Sequence, residues 1–283
     1  MMRYLLLLLA LPAFGQGLTL RNPFYQAVFG SPYVVTFNAN TVPGMQYWFK
    51  ADGTLWQDAD RTTAVTADGD PIGCWDDASG YGRNVTNRAA SRYPTWHSTG
   101  LNSKPYVHFM GGQTNLAYWD GNTTFSTSTS CTNYVFTVST FIAGLSGGRG
   151  FLIAGTNVVA PRQIIYIYPN AGNFWEYEQG DGDCHDASAK TNWCIRGWQL
   201  SGTNSWIFTN GVSSIGIVAQ NAGNGVMNGC FVGNGSTLNY GNNQYIAEIL
   251  YYTNYMSSNT TWQVLNYLSK KYNIPCFAPP ADP

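Results

Sequence analysis

Charge is what this sequence has least of. Only 10% of its 283 residues are Asp, Glu, Lys or Arg, and the formal net charge is -1. That leaves no long-range attraction for nucleic acid or an anionic membrane. Several catalytic and cofactor signatures are also missing. No cysteine spacing is C-x-x-C, which argues against structural zinc and dithiol chemistry. There is no G-x-S-x-G elbow. Gly144, Gly147, Gly148 and Gly150 are followed by neither the lysine nor the helix of a phosphate-cradling loop. No Pro/Ser/Gly tract divides the chain, and repeated amphipathic helices, which a parallel doubly wound sheet needs, are absent.

What is present begins with an export signal. Arg3, the apolar run from Leu5 to Leu11 and the segment Pro12-Ala13-Phe14-Gly15-Gln16 match a positive region, an apolar core and a small-residue cleavage zone. The run is too short to span a bilayer. Residues 1–16 therefore read as a signal peptide, and residues 17–283 as one secreted or cell-surface domain with no membrane span. Within it, 17–44 form an N-terminal extension or first strand and 277–283 a frayed tail. Cys74, Cys131, Cys184, Cys194, Cys230 and Cys276 form an even set, for which disulfides are the expected use in an exported chain. Cys184 and Cys194 are close enough to staple a local hairpin. Cys276 can tie the tail to a distant strand such as the one ending at Cys74.

Aromatics make up 15% of the chain, with 19 Tyr and 10 Trp. They concentrate in short runs separated by Gly, Asn and Ser, the spacing of a two-sheet antiparallel architecture. Strands are expected at Tyr33 to Phe37, Met45 to Phe49, Tyr106 to Met110, Tyr134 to Phe141, Gly150 to Ala154, Gln163 to Tyr168 and Asn173 to Glu178. Others are expected at Trp198 to Leu200, Ser205 to Thr209, Gly216 to Ala219 and Gln244 to Tyr252. Alternation in the third makes Tyr106 and Met110 same-face neighbours of His108, a packed or half-exposed histidine. One helix is expected, capped by Ser257 or Ser258, with Trp262, Leu265, Leu268 and Tyr272 at helical spacing, Lys270 and Lys271 in its last turn and Pro275 beyond.

Several blocks occur in an order that resembles the concanavalin A-like lectin/glucanase superfamily, nearest its laminin-G-like modules in secreted bacterial proteins. They are Tyr47-Trp48-Phe49-Lys50-Ala51-Asp52, Trp75-Asp76-Asp77-Ala78-Ser79-Gly80-Tyr81-Gly82-Arg83-Asn84, Leu101-Asn102-Ser103-Lys104-Pro105-Tyr106-Val107-His108-Phe109 and Ile246-Ala247-Glu248-Ile249-Leu250-Tyr251-Tyr252. The position usually held by Asn-Gly in such modules is Asn102-Ser103 here. The resemblance implies an all-β jelly-roll sandwich of two curved antiparallel sheets, with loops that in some members bind glycans or calcium.

Three sets of residues carry candidate chemistry. Glu176 and Glu178 share a face on a strand, and a retaining glycosidase needs two carboxyls about 5 to 5.5 Å apart. With Asp181 they resemble the Glu-x-Asp-x-x-Glu pattern of laminarinase-type glucanases. For calcium, which takes carboxylate and carbonyl oxygens from flexible loops, the candidates are Asp68, Asp70, Asp76 and Asp77, or Asp181, Asp183 and Asp186. For glycan, the candidates are the aromatic and amide groups of Trp175, Tyr177, Trp193 and Asn192, since such sites combine apolar surface with a few placed polar groups. The reading is a lectin-like binding or adhesion module for glycan or surface polymer. Alternatives are a glycoside hydrolase, or a structural subunit assembling with copies of itself or other surface proteins.

Overall fold

The computed structural model describes residues 37–110, 116–118, 133–141, 150–154, 163–168, 174–179, 182–186, 192–200, 205–210, 212–213, 229–233 and 243–277. The expected leader, residues 33–36 of the strand expected at Tyr33 to Phe37, the strand at Gly216 to Ala219, Cys131 and Asp181 lie outside them. No helix among the described residues is long and apolar enough to cross a membrane.

Two antiparallel sheets make up the body. The first is ordered β15 (Val212–Ser213), β14 (Trp206–Thr209), β13 (Cys194–Leu200), β8 (Asn133–Phe141), β17 (Gln244–Tyr252), β6 (Tyr106–Phe109) and β5 (Thr95–His97). Strand β1 (Met45–Lys50) also pairs with β17, continuing beyond the stretch that pairs with β6. The second sheet is ordered β12 (Gly182–Asp186), β11 (Phe174–Gln179), β10 (Gln163–Tyr168), β9 (Gly150–Ala154), β16 (Cys230–Val232), β7 (Leu116–Tyr118), β4 (Val85–Thr86), β3 (Cys74–Trp75) and β2 (Leu55–Trp56).

Alternation along these strands sends large apolar side chains into one core shared by both sheets. Tyr47, Phe49, Val107, Phe109, Val135, Trp198, Ile249 and Tyr251 come from the first sheet; Leu55, Trp75, Val85, Ile165 and Val232 come from the second. Burying a side chain of this size contributes about 1.5–3 kcal/mol, so this shared interior is what makes two sheets of short strands stable. The aromatics compensate for the scarcity of charge by filling the interior.

A free strand edge invites pairing with another chain, and here the outer edge of β1 is covered from within. Trp48 donates its backbone N–H to Asp77 Oδ1 at 3.0 Å, and its carbonyl accepts the Ala78 N–H at 2.8 Å. Asp77 also accepts from the Ser79 N–H, the Ser79 hydroxyl and the Arg83 N–H. Its own N–H goes to Asn84 Oδ1. Gly80 and Gly82, at φ +90 and +69, supply the two left-handed residues that turn the chain back so that one carboxylate can meet all these donors. The Asp/Ser/Gly-rich block after Trp75 is thus a folded clasp on the edge of the first sheet.

The helix, α1 (Ser258–Tyr272), is capped by Ser257, whose hydroxyl accepts the Thr260 N–H, and ends at Asn273 in the left-handed region. Its buried stripe is Thr261, Val264, Leu265, Leu268 and Tyr272; Trp262 is only half-buried. The helix is pinned to the outer face of the first sheet by Glu248, which has no exposed surface. Glu248 Oε1 accepts from Trp48 Nε1 at 2.6 Å and the Tyr267 hydroxyl at 2.9 Å. Oε2 accepts from Lys271 Nζ at 2.7 Å and the Tyr272 hydroxyl at 2.8 Å. Lys271 reaches Asp52 as well, at 2.9 Å. Burial, then the nearby carboxylate, raises both phenols far above their ordinary range, which keeps them as donors.

The cysteine expectation needs correction. Cys74, Cys194, Cys230 and Cys276 are free thiols, so neither the Cys184–Cys194 staple nor a Cys74–Cys276 tie forms. Topology separates the second pair: Cys74 lies in the second sheet beside Asp76, whereas the chain next to Cys276 hydrogen-bonds Asn210 at the end of β14 in the first. Burial of Cys74, reinforced by Asp76, pushes its thiol up to about 12, and burial takes Cys276 to about 11. Neither is a thiolate nucleophile near neutral pH.

Candidate functional site

The outer face of the first sheet has two regions. The helix covers the part around Glu248; further along β17 lies a cluster of rings. In the β5–β6 hairpin, register sets Thr95 opposite His108 and His97 opposite Tyr106. Trp96, Val107 and Phe109 alternate inward to the core, so Thr95, His97, Tyr106 and His108 fall on the outer face. β17 pairs Tyr245 with His108 and adds its ring to the same face. Trp193, just before β13, arrives from the other side.

These rings are in mutual contact, and all are partly exposed. Tyr106 and Tyr245 lie at its centre with centroids 4.6 Å apart. Trp193 sits 5.8 Å from Tyr106 and 6.1 Å from Tyr245, stacked on the latter. His97 stacks on Tyr106 at 4.9 Å, His108 meets Tyr245 edge-on at 4.7 Å, and the two imidazoles are 5.9 Å apart. Gly100 packs against the Tyr106 ring so closely that a Cβ there would collide with it.

Polar groups fix the rings and border the patch. His108 Nε2 donates to Asn243 Oδ1. The Thr95 hydroxyl and His97 Nε2 share a hydrogen bond at 3.1 Å, while His97 Nδ1 faces Asp68 Oδ2 at 3.5 Å. Asp68 is held in turn by the Ser98 N–H and hydroxyl, and the first of these bonds does most to lower its carboxyl below the usual range. Burial raises the Tyr106 phenol. Burial lowers His108, the bond to Asn243 opposes that, and His97 adds to it. Asn192 is exposed beside Trp193. The arrangement offers aromatic surface bordered by amide, hydroxyl and imidazole groups, with little charge.

Of the sequence-derived glycan contacts, Trp193 and Asn192 belong to this cluster. Trp175 and Tyr177 do not: they lie on β11 in the second sheet, where the backbone of Tyr177 pairs with that of Ile165. Sequence reasoning missed Tyr245 and Tyr106 as partners of Trp193, and His97 as a partner of Tyr106. The usable signal was the pair of alternating runs Thr95-Trp96-His97 and Tyr106-Val107-His108-Phe109, which match as a hairpin.

Glu176 and Glu178 also lie on β11, where the backbone register sets Asp183 opposite Glu178 and His185 opposite Glu176. Asp183 and Asp186 lie on β12, and their side chains fall outside the described ones. The early set does not converge. Asp68 is taken up by Ser98 and His97; Asp70 by the Thr66 and Ala67 N–H groups and Gln57; Asp76 by Trp56 and Arg61; and Asp77 by the clasp. No group of three or more His, Cys, Asp or Glu among the described residues could hold a metal. Asp68, Asp70, Asp76 and Asp77 do not form a ready calcium site, because each is occupied by local donors.

No protein-family profile matches the chain and no curated protein matches it in sequence. Solved structures share its architecture. The fourth domain of an extracellular arabinanase from Geobacillus stearothermophilus, in complex with arabinotriose, is 12% identical and matches 79% of this chain and 98% of its own, with a TM-score of 0.50. An α-L-arabinofuranosidase soaked with a cyclic sulfate inhibitor is 13% identical and matches 80% of this chain and 59% of its own, with a TM-score of 0.51. Trypanosoma rangeli sialidase is 9% identical over 81% of this chain, with a TM-score of 0.49; the chain spans 33% of that protein. At these identities the likeness is one of all-β fold.

Proposed function

We propose that this chain is an exported glycan-binding module, a concanavalin A-like jelly roll that holds sugar rings against the Trp193–Tyr245–Tyr106 cluster. The observation that carries the reading is the set of mutually supporting, partly exposed rings bordered by Asn192, Asn243 and the two histidines. Sugars present apolar ring faces and hydroxyl edges, and such a patch meets both without needing charge. The arabinanase domain, which has the same architecture and is bound to arabinotriose, is consistent with the reading. Export, expected from the leader, places the module among extracellular polymers.

The test is retention on immobilised linear arabinan, xylan, β-1,3-glucan and β-1,4-glucan. Trp193→Ala and Tyr245→Ala are each expected to weaken binding to the retained polymer by about 2 kcal/mol, roughly thirtyfold, the cost of truncating a central aromatic contact. Unchanged retention by both variants would remove the cluster from the account.

A second reading is hydrolysis, favoured by the backbone register, in which Glu176 and Glu178 are two residues apart on β11 and Asp183 on β12 pairs with Glu178. Such a reaction needs one carboxyl that holds a proton and one that does not. Under this reading Glu178→Gln and Glu176→Gln each lose at least about 100-fold in release of reducing sugar, with unaltered thermal unfolding. Full activity in both variants ends it.

A further inference from the structure

We propose that His108 makes the ring cluster proton-responsive: the patch binds while His108 is neutral, and a proton on His108 releases the ligand. This rests on the glycan-binding reading and adds a means of regulating that site.

The argument starts from what faces each imidazole. His97 Nδ1 looks onto the Asp68 carboxylate, so a proton there finds a counter-charge. Around His108, among the described residues, stand Tyr245 from β17, Asn243 from the segment before it, His97 from β5 and Tyr106 two residues away on its own strand. No Asp or Glu side chain is among them. A proton added to His108 therefore sits on a ring 5.9 Å from His97, with the Asp68 carboxylate facing His97 and not His108.

An imidazolium at His108 keeps its bond to Asn243 but is half-buried with the His97 ring beside it, so the ring turns about that bond toward water. That motion shifts the edge contact with Tyr245, the ring against which Trp193 stacks. Because the folded state favours neutral His108, its stabilising contribution is complete above the ordinary imidazole range. It is lost as pH falls through that range toward the lower folded value.

The experiment uses the full chain. Retention on the four-polysaccharide panel is measured from about pH 7.5 to about pH 5, spanning ordinary imidazole titration, for the parent and for His108→Gln, whose amide keeps an N–H donor for Asn243 but cannot titrate. The parent is expected to lose roughly tenfold or more in affinity and the variant to stay flat. In parallel, proton NMR follows the three histidines; the His108 signal is identified by its loss in the variant, and the Tyr245 ring signals should move with the same midpoint. The proposal is overturned if His108→Gln keeps the parent's pH dependence, or if His108 titrates while Tyr245 stays still. Absence of binding at every pH overturns the glycan reading and ligand release with it, whereas Tyr245 moving with His108 upholds the proton response by itself.

Discussion

Glu248→Ala is expected to cost about 3–5 kcal/mol of unfolding free energy, the range for breaking a buried ion pair by removing one partner. For a domain of this size that lowers the melting temperature by roughly 10 °C. The effect is large because one carboxylate serves four donors. Its loss leaves the Trp48 indole, two phenols and the Lys271 ammonium with a vacated acceptor position where the helix meets the sheet. Glu248→Gln should fall between, since an amide oxygen still accepts but leaves Lys271 paired only with Asp52. The diagnostic comparison is Glu248→Leu with Lys271→Met. If the pair forms a buried ionic unit, the double variant is more stable than either single one. Denaturant midpoints of the four chains decide it, and a Glu248→Ala midpoint equal to the parent's would show the helix is held by its apolar stripe alone.

The second large effect belongs to Asp77. Asp77→Ala removes the acceptor of the Trp48, Ser79 and Arg83 N–H groups and of the Ser79 hydroxyl. Hydrogen bonds to a charged group contribute about 1.5–3 kcal/mol each, but losses in one network do not add. A net cost of about 3 kcal/mol is therefore expected, equal to more than one such bond. This variant should also differ in kind from Glu248→Ala, because opening the clasp uncovers the edge of β1. Light scattering is expected to rise at denaturant concentrations below the unfolding midpoint, which Glu248→Ala should not show. Asp77→Asn, which retains one accepting oxygen, should recover about half of the lost stability.

How much of this was legible depends on the length over which a pattern persists. Gln244 to Tyr252 and Tyr134 to Phe141 were readable because eight or nine residues of aromatic and β-branched sequence admit few alternatives, and β17 and β8 do pair along their length. The helix was readable from Ser257, its spacing and Pro275. Two- and three-residue strands such as Cys74–Trp75, Val85–Thr86 and Thr95–His97 carry too few residues for a period to show. The Asp/Ser/Gly block was readable as an ordered loop, but not as an edge clasp, since its partner Trp48 is 29 residues distant. Ser103, standing where the resembled modules have glycine, keeps the left-handed conformation at φ +61, so the turn survives the substitution. The cluster was half-visible: Trp193 and Asn192 were named, while Tyr245 joined them through pairing across the sheet.

The first sheet has a second guarded border. Pro71 bridges to Thr95, the Trp96 N–H donates to the Asp70 carbonyl, and the Gly69 N–H donates to the Trp96 carbonyl, so β5 is bound along its outer side as β1 is by the clasp. With both strands so occupied, neither can be lent to a neighbour without first giving up bonds within the chain. Copies of the protein building a surface layer would have to meet elsewhere than along β1 and β5.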